Sequence, residues 1–203
     1  MNVVIIKYNA GNIQSVMNAL QRLGMQADVT DDAQKISSAD KVIFPGVGEA
    51  GSAMDSLKAA TLDAVIKDLK QPVLGICVGM QLLCQHSEES NTEGLGIVPV
   101  RVKLFSSKSH TFNDMDTKLK VPQVGWNTIY NLQTDLFRGV EEKSFVYNVH
   151  SYYVEDSDYT IAACHYGTQY AAAIQKDNFY GVQFHTEKSA DTGDLILQNF
   201  LDL

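Results

Sequence analysis

At 203 residues, with 45% apolar and 20% charged side chains, the chain has the composition of a soluble globular protein, not of a disordered or fibrous one. Its 16 Lys and Arg against 24 Asp and Glu give a formal charge of −8, which repels phosphate backbones and anionic lipid; no nucleic-acid or membrane partner is expected. The three cysteines, Cys77, Cys84 and Cys164, cannot all pair and lack metal-ligand spacing, so neither a disulfide framework nor a metal site is expected.

The apolar run Val3–Ile6 is too short for an export signal or a membrane span, and with free thiols it points to the cytoplasm. The run reads instead as a strand buried on both faces. The turn-rich Asn9-Ala10-Gly11-Asn12 follows, and then Ile13, Val16, Met17, Leu20 and Leu23 recur at helical spacing until Gly24. Strands are expected at 27–30 and 41–44, the second stopped by Pro45-Gly46-Val47-Gly48. One helix is expected over 53–69, a strand over 72–76 and a helix over 80–86. Repeated βα units of this length imply a parallel sheet covered on both faces.

Beyond residue 98 the pattern changes to short strands at 98–105, 127–130, 144–149, 159–164, 171–174 and 180–184, read as antiparallel or mixed additions. The polar stretch 106–120 is expected to be a surface loop, and Leu195, Ile196 and Phe200 are placed to dock a C-terminal helix. With no linker, repeat or low-complexity tract, residues 1–203 are read as one domain.

Gly75-Ile76-Cys77-Val78-Gly79 sits between a strand and a helix. A G-x-nucleophile-x-G turn forces its central residue into a cramped conformation, so the flanking positions need glycine. It would lift Cys77 out of the sheet edge and set its sulfur near a helix N-terminus, which favours thiolate. Alone, the pentapeptide is equally compatible with an inert buried cysteine. Cys84 and Cys164 lack flanking glycines and read as core.

A thiolate attacking an amide needs a general acid–base, and five histidines are available. His86, His110 and His165 read as solvated or packing residues. His150 ends a strand and could reach a site, but has no carboxylate nearby. His185 closes the strand through Phe184, and Glu187 follows two residues later. If the segment is extended, both project to one face and Glu187 can fix the tautomer of His185.

Together, Gly75–Gln81 and the run Gly181-Val182-Gln183-Phe184-His185-Thr186-Glu187-Lys188-Ser189 resemble the signatures of the class I glutamine amidotransferases. The resemblance narrows to the glutaminase subunits of histidine biosynthesis through Tyr8–Asn12 with Ser15-Val16, Pro45–Gly48, Gly125-Trp126-Asn127 and Val149-His150-Ser151-Tyr152. It implies a flavodoxin-like α/β fold, with a mainly parallel central sheet, helices on both faces and added antiparallel strands. It implies a Cys77–His185–Glu187 triad, a thioester on Cys77, and L-glutamine held by Gly46, Gly48, Gln81, Glu89, Ser151 and Tyr152. Glu89 could pair the substrate ammonium, and it could equally be a solvated residue.

The oxyanion would be met by the backbone N–H of Val78 and by the Gly46–Gly48 strand. The resemblance implies that Val47 keeps its amide turned away until a partner is loaded. That partner is a separate (β/α)8-barrel synthase subunit that receives the ammonia in a heterodimer. Asn12 and Trp126 are placed at its interface, although a core role for Trp126 is as reasonable. No cofactor is implied.

Three positions depart from the pattern: Thr186 for proline, Gln123 for histidine and Lys7 for an acidic residue. A glutaminase of another pathway is disfavoured by Pro45–Gly48 and Gly125–Asn127. A cysteine peptidase on a similar fold would carry histidine at position 78. An inactive regulatory protein would not need the intact triad.

Overall fold

The computed structural model of the chain describes residues 1–9, 11–106 and 119–203. Its first half alternates strand and helix, as the apolar runs and glycine stops require: β1 (Val3–Ile6), α1 (Ile13–Arg22), β2 (Ala27–Thr30), α2 (Ala33–Ser37), β3 (Lys41–Gly46), α3 (Ala50–Ala59), α4 (Leu62–Asp68), β4 (Val73–Cys77) and α5 (Val78–Leu83). Strands dominate the rest: β5 (Cys84–Ser87), β6 (Thr92–Glu93), β7 (Val98–Leu104), β8 (Gln123–Tyr130), β9 (Phe145–His150), β10 (Tyr152–Val154), β11 (Thr160–Tyr166), β12 (Thr168–Lys176) and β13 (Phe179–Val182). Helix α6 (Ala190–Asp202) follows.

The sheet runs in the order β2-β1-β3-β4-β13-β12-β10-β7-β5-β6, and β11, β8 and β9 branch from β12. The first five strands pair in parallel; β12, β10 and β7 then add antiparallel, as does the β8–β9 hairpin. Strands β1, β3 and β4 are buried along their whole length. Two groups of helices account for that: α1 with α6, joined by the Arg22–Asp194 ion pair, and α2 to α5 packed in series. The architecture is the expected α/β sheet with a parallel centre and antiparallel additions.

Local expectations fail where tertiary contacts outweigh pattern. The helix expected over 53–69 is two helices, because Thr61 adopts a left-handed conformation (φ 55°) and breaks the ladder between α3 and α4. The helix expected over 80–86 starts at Val78 and stops at Leu83; Cys84 to Ser87 instead form β5, paired in parallel with β7. Cys84 and His86 therefore lie on a strand, not a helix. The strand expected through Phe184 ends at Val182. Helix α2 and strands β5, β6 and β10 have patterns too short or too mixed to stand out in the sequence. Of the expected loop 106–120, residues 107–118, including His110, lie outside the described residues, as does Ala10.

Candidate active site

Strand β4 ends at Cys77 and α5 begins at the next residue, so the chain reverses on Cys77 itself, with φ 56° and ψ −112°. A side chain is strained there, because a Cβ crowds the backbone at positive φ. The flanking glycines make the turn possible. A Cβ on Gly79 would collide with the Phe44 carbonyl oxygen, and one on Gly75 would lie 2.8 Å from the Met80 nitrogen. Bare backbone at both lets α5 press onto the ends of β3 and β4. The turn opens beyond the carboxyl ends of β3, β4 and β13, where sheets of this kind bind ligands.

Strand β13 runs beside β4 and delivers His185 and Glu187 to the same end. His185 Nδ1 lies 2.7 Å from Glu187 Oε1, and the imidazole faces the same cleft as the Cys77 sulfur. Both side chains are buried. Burial alone lowers the imidazole, but the interaction with Cys77, the hydrogen bond to Glu187 and the charges of those partners outweigh it and push His185 up to about 10. His185 and Glu187 meet by a different route from the extended one expected: residues 186–188 form a 3-10 turn, and that turn brings the carboxylate back onto the ring. Thr186, in place of proline, leaves its buried hydroxyl oxygen without a partner among the described residues, and Glu187 Oε2 likewise has none there.

Cys77 and His185 line a cleft of about 210 Å³ with Val47, Gly48, Val78, Gln81, Glu89, Ser151 and Tyr152; Glu187, bonded to His185, is not part of that lining. Of the expected substrate and oxyanion residues, Gly46 is the one outside the lining. It ends β3, where a Cβ would lie 2.5 Å from the Gly79 nitrogen. Gln81 has only part of its amide free for a substrate. Its amide nitrogen already reaches Tyr152 O and Gln183 Oε1, each at 3.0 Å, which leaves its oxygen. Glu89 is not a solvated helix-face residue: it accepts the Ala50 N–H at 2.8 Å, capping α3, and burial raises its carboxyl while that bond opposes the shift.

Three lining residues lie outside the expected set: Val149, His150 and Lys188. Lys188 belongs to the His185 signature, and His150 lacks the nearby carboxylate that singles out a catalytic base. Instead, His150 Nδ1 donates to Tyr152 O at 2.7 Å, and burial lowers its pKa to about 4, so it stays neutral. Cys84 and Cys164 are buried core residues; burial raises both, Cys164 to about 11. Among the described residues no group of His, Cys, Asp and Glu forms a metal-ligand set.

Trp126 is not a core tryptophan. It is 53% exposed and packs edge-on against Tyr147, its cross-strand partner in the β8–β9 hairpin. Val124, Phe145 and Val149 on the same hairpin are also exposed, making an unusually apolar surface that reaches the cleft through Val149. Asn12 is the N-cap of α1, with no side-chain capping bond.

The family described as glutamine amidotransferase class-I matches residues 4–203. The chain belongs to this family. Relatives within the class I glutamine amidotransferases include the imidazole glycerol phosphate synthase subunit HisH of Bacteroides thetaiotaomicron, 54% identical over 203 residues and 100% of both chains. The protein of the same name from Escherichia coli is 44% identical over 205 residues, again covering 100% of each. A solved structure described as a glutamine amidotransferase superposes with a TM-score of 0.72 at 13% identity, over 100% of this chain and 98% of that one. PurLQS from Thermotoga maritima gives 0.68 at 17% identity, over 99% and 97%. At such identities the solved structures speak for the amidotransferase fold alone. No helix among the described residues is long and apolar enough to cross a membrane.

Proposed function

We propose that the chain is the glutaminase subunit of an imidazole glycerol phosphate synthase. It hydrolyses L-glutamine to L-glutamate and ammonia and hands the ammonia to a separate (β/α)8-barrel synthase subunit in histidine biosynthesis. The observation that carries the reading is the meeting of Cys77 and His185 in one cleft, with Glu187 2.7 Å from the imidazole, in a chain 54% identical end to end with a protein named for that complex. The assignment covers residues 1–203 as a single amidotransferase domain working in the cytoplasm, where three free thiols remain reduced.

In the proposed reaction the Cys77 sulfur attacks the side-chain carbonyl carbon of glutamine. The carbonyl oxygen becomes an oxyanion held by the Val78 N–H and by the Gly46-Val47-Gly48 strand. His185, kept protonated against Glu187, gives its proton to the departing nitrogen, and ammonia leaves a thioester on Cys77. Water, deprotonated by His185, then cleaves the thioester and frees glutamate. Gln81, Glu89, Ser151 and Tyr152 hold the amino-acid end of the substrate, with Glu89 pairing its ammonium.

Val47 is β-branched and resists the backbone angles that Gly48, at φ 97°, accepts readily. The second oxyanion donor is therefore proposed to swing into place only in the loaded complex, which keeps the isolated subunit nearly silent. The exposed hairpin face around Trp126, with Asn12, is the proposed dock for the barrel subunit. Glutamate release by wild type and Cys77→Ala, with and without the ligand-loaded barrel subunit, tests the reading. Equal release by both proteins overturns it, and wild-type release at full rate without the partner overturns the conditional oxyanion hole.

A further inference from the structure

Strands β13 and β4 lie in parallel register with Val182 opposite Ile76, so the next residues, Gln183 and Cys77, emerge side by side. Gln183 is fully buried, and its Nε2 stands 3.9 Å from the Cys77 sulfur. On the other side its Oε1 accepts from Gln81 Nε2 at 3.0 Å. We propose that Gln183 is a donor to the nucleophilic sulfur, and that Gln81, held by the Tyr152 backbone carbonyl, is the positioning residue that turns its amide the right way round.

An amide side chain can face either way unless its partners decide, and here one partner does. A backbone carbonyl only accepts, so the Gln81 atom 3.0 Å from Tyr152 O must be its NH2 group. The second hydrogen of that NH2 is directed at Gln183, which must therefore answer with oxygen. The remaining end of the Gln183 amide, its NH2, is turned to the sulfur. One acceptor on the cleft wall thus sets the polarity of two buried amides in series.

The sulfur needs such a donor. Cys77 is only 4% exposed, and another of its neighbours is the Val149 carbonyl at 3.9 Å, which can accept an S–H but repels a thiolate. His185 supplies one stabilising group, but it must give up its proton during the reaction. Gln183 does not titrate, so it favours the anion both when the sulfur attacks and when cleavage of the thioester releases it again. The reverse orientation, oxygen toward sulfur, would set two acceptors against a buried anion.

This inference rests on the reading of Cys77 as nucleophile. Its test follows the sulfur directly, as the rate of Cys77 alkylation by iodoacetamide at pH 7 in the full chain. Gln183→Met keeps the length and apolar packing and removes the donor. Loss of a hydrogen bond to a charged group should slow alkylation about tenfold or more with partner affinity unchanged, while the melting temperature falls only modestly as one Gln81 N–H loses its acceptor. Gln81→Met should slow alkylation by freeing Gln183 to turn, and the double variant should be no slower than Gln183→Met alone. Wild-type alkylation in Gln183→Met, or losses that simply add in the double variant, overturn the proposal. A neutron density map of the native chain tests it without any variant: deuterons on the Gln183 atom nearest the sulfur support it, and an oxygen there overturns it. If Cys77→Ala still releases glutamate, the nucleophile reading fails, a result separable from any change in alkylation rate.

Discussion

The Nδ1 atom of His185 and the Oε1 atom of Glu187 are 2.7 Å apart, with only 4% and 8% of the two residues exposed. This pair links catalysis to stability. His185 is pushed up to about 10 from 6.5, after the opposing effect of burial, by its interactions with Cys77 and Glu187. A base raised on folding adds stability that is complete below its unfolded value and is lost as pH climbs through its folded value. The wild-type melting temperature is therefore expected to fall between pH 7 and 10, and the fall should flatten in Glu187→Gln. The same variant should lose glutaminase turnover by about a hundredfold or more, since the imidazole is no longer held charged and aligned. A melting profile for Glu187→Gln parallel to wild type would contradict the linkage.

Cys77 occupies a conformation that a side chain resists, with φ 56° and ψ −112°. Cys77→Ala and Cys77→Gly should both be inactive, but they should differ in stability. Glycine relieves the crowding, so Cys77→Gly is expected to melt higher than Cys77→Ala, by an amount corresponding to roughly 1 kcal/mol. Calorimetry of the two variants decides it, and equal melting points would mean the turn is unstrained.

Trp126 is exposed, so its truncation should cost the isolated chain less than about 1 kcal/mol. Binding to the barrel subunit should suffer far more, by roughly thirtyfold if the indole is an interface anchor. Titration calorimetry of Trp126→Ala against the barrel protein measures the loss. Undiminished affinity removes the hairpin from the proposed interface.

Glu89 faces the cleft while capping α3 through the Ala50 N–H. Glu89→Ala should raise the KM for glutamine about tenfold or more through loss of the ammonium partner. It should also lower stability by about 1 kcal/mol through loss of the cap. Steady-state kinetics with a melting curve separates the two effects; a changed melting point with unchanged KM would leave Glu89 structural only.

The parallel half of the fold is legible in the sequence because β1, β3 and β4 are buried on both faces and so appear as unbroken apolar runs ended by Gly or Pro. The turn at Cys77 is legible because only glycine fits at 75 and 79. Thr61 gives no warning that it stands in a left-handed conformation, and nothing in Cys84–Ser87 favours strand over helix until β7 is beside it. The nearness of His185 and Glu187 follows from their spacing, although the turn that joins them does not. The sequence puts His150 within reach of a site but does not give its role, because its partner is the backbone carbonyl of Tyr152, and a sequence names side chains only.

Nucleophile and base stand on neighbouring strands, β4 and β13, that are distant along the chain, with most of the antiparallel additions translated between them. A polypeptide interrupted anywhere in that interval would possess the thiol but neither the imidazole nor the carboxylate. Catalytic competence under the proposed mechanism is thus all-or-none: there is no truncated, partly working form to leak ammonia during synthesis or after proteolytic nicking that releases either part.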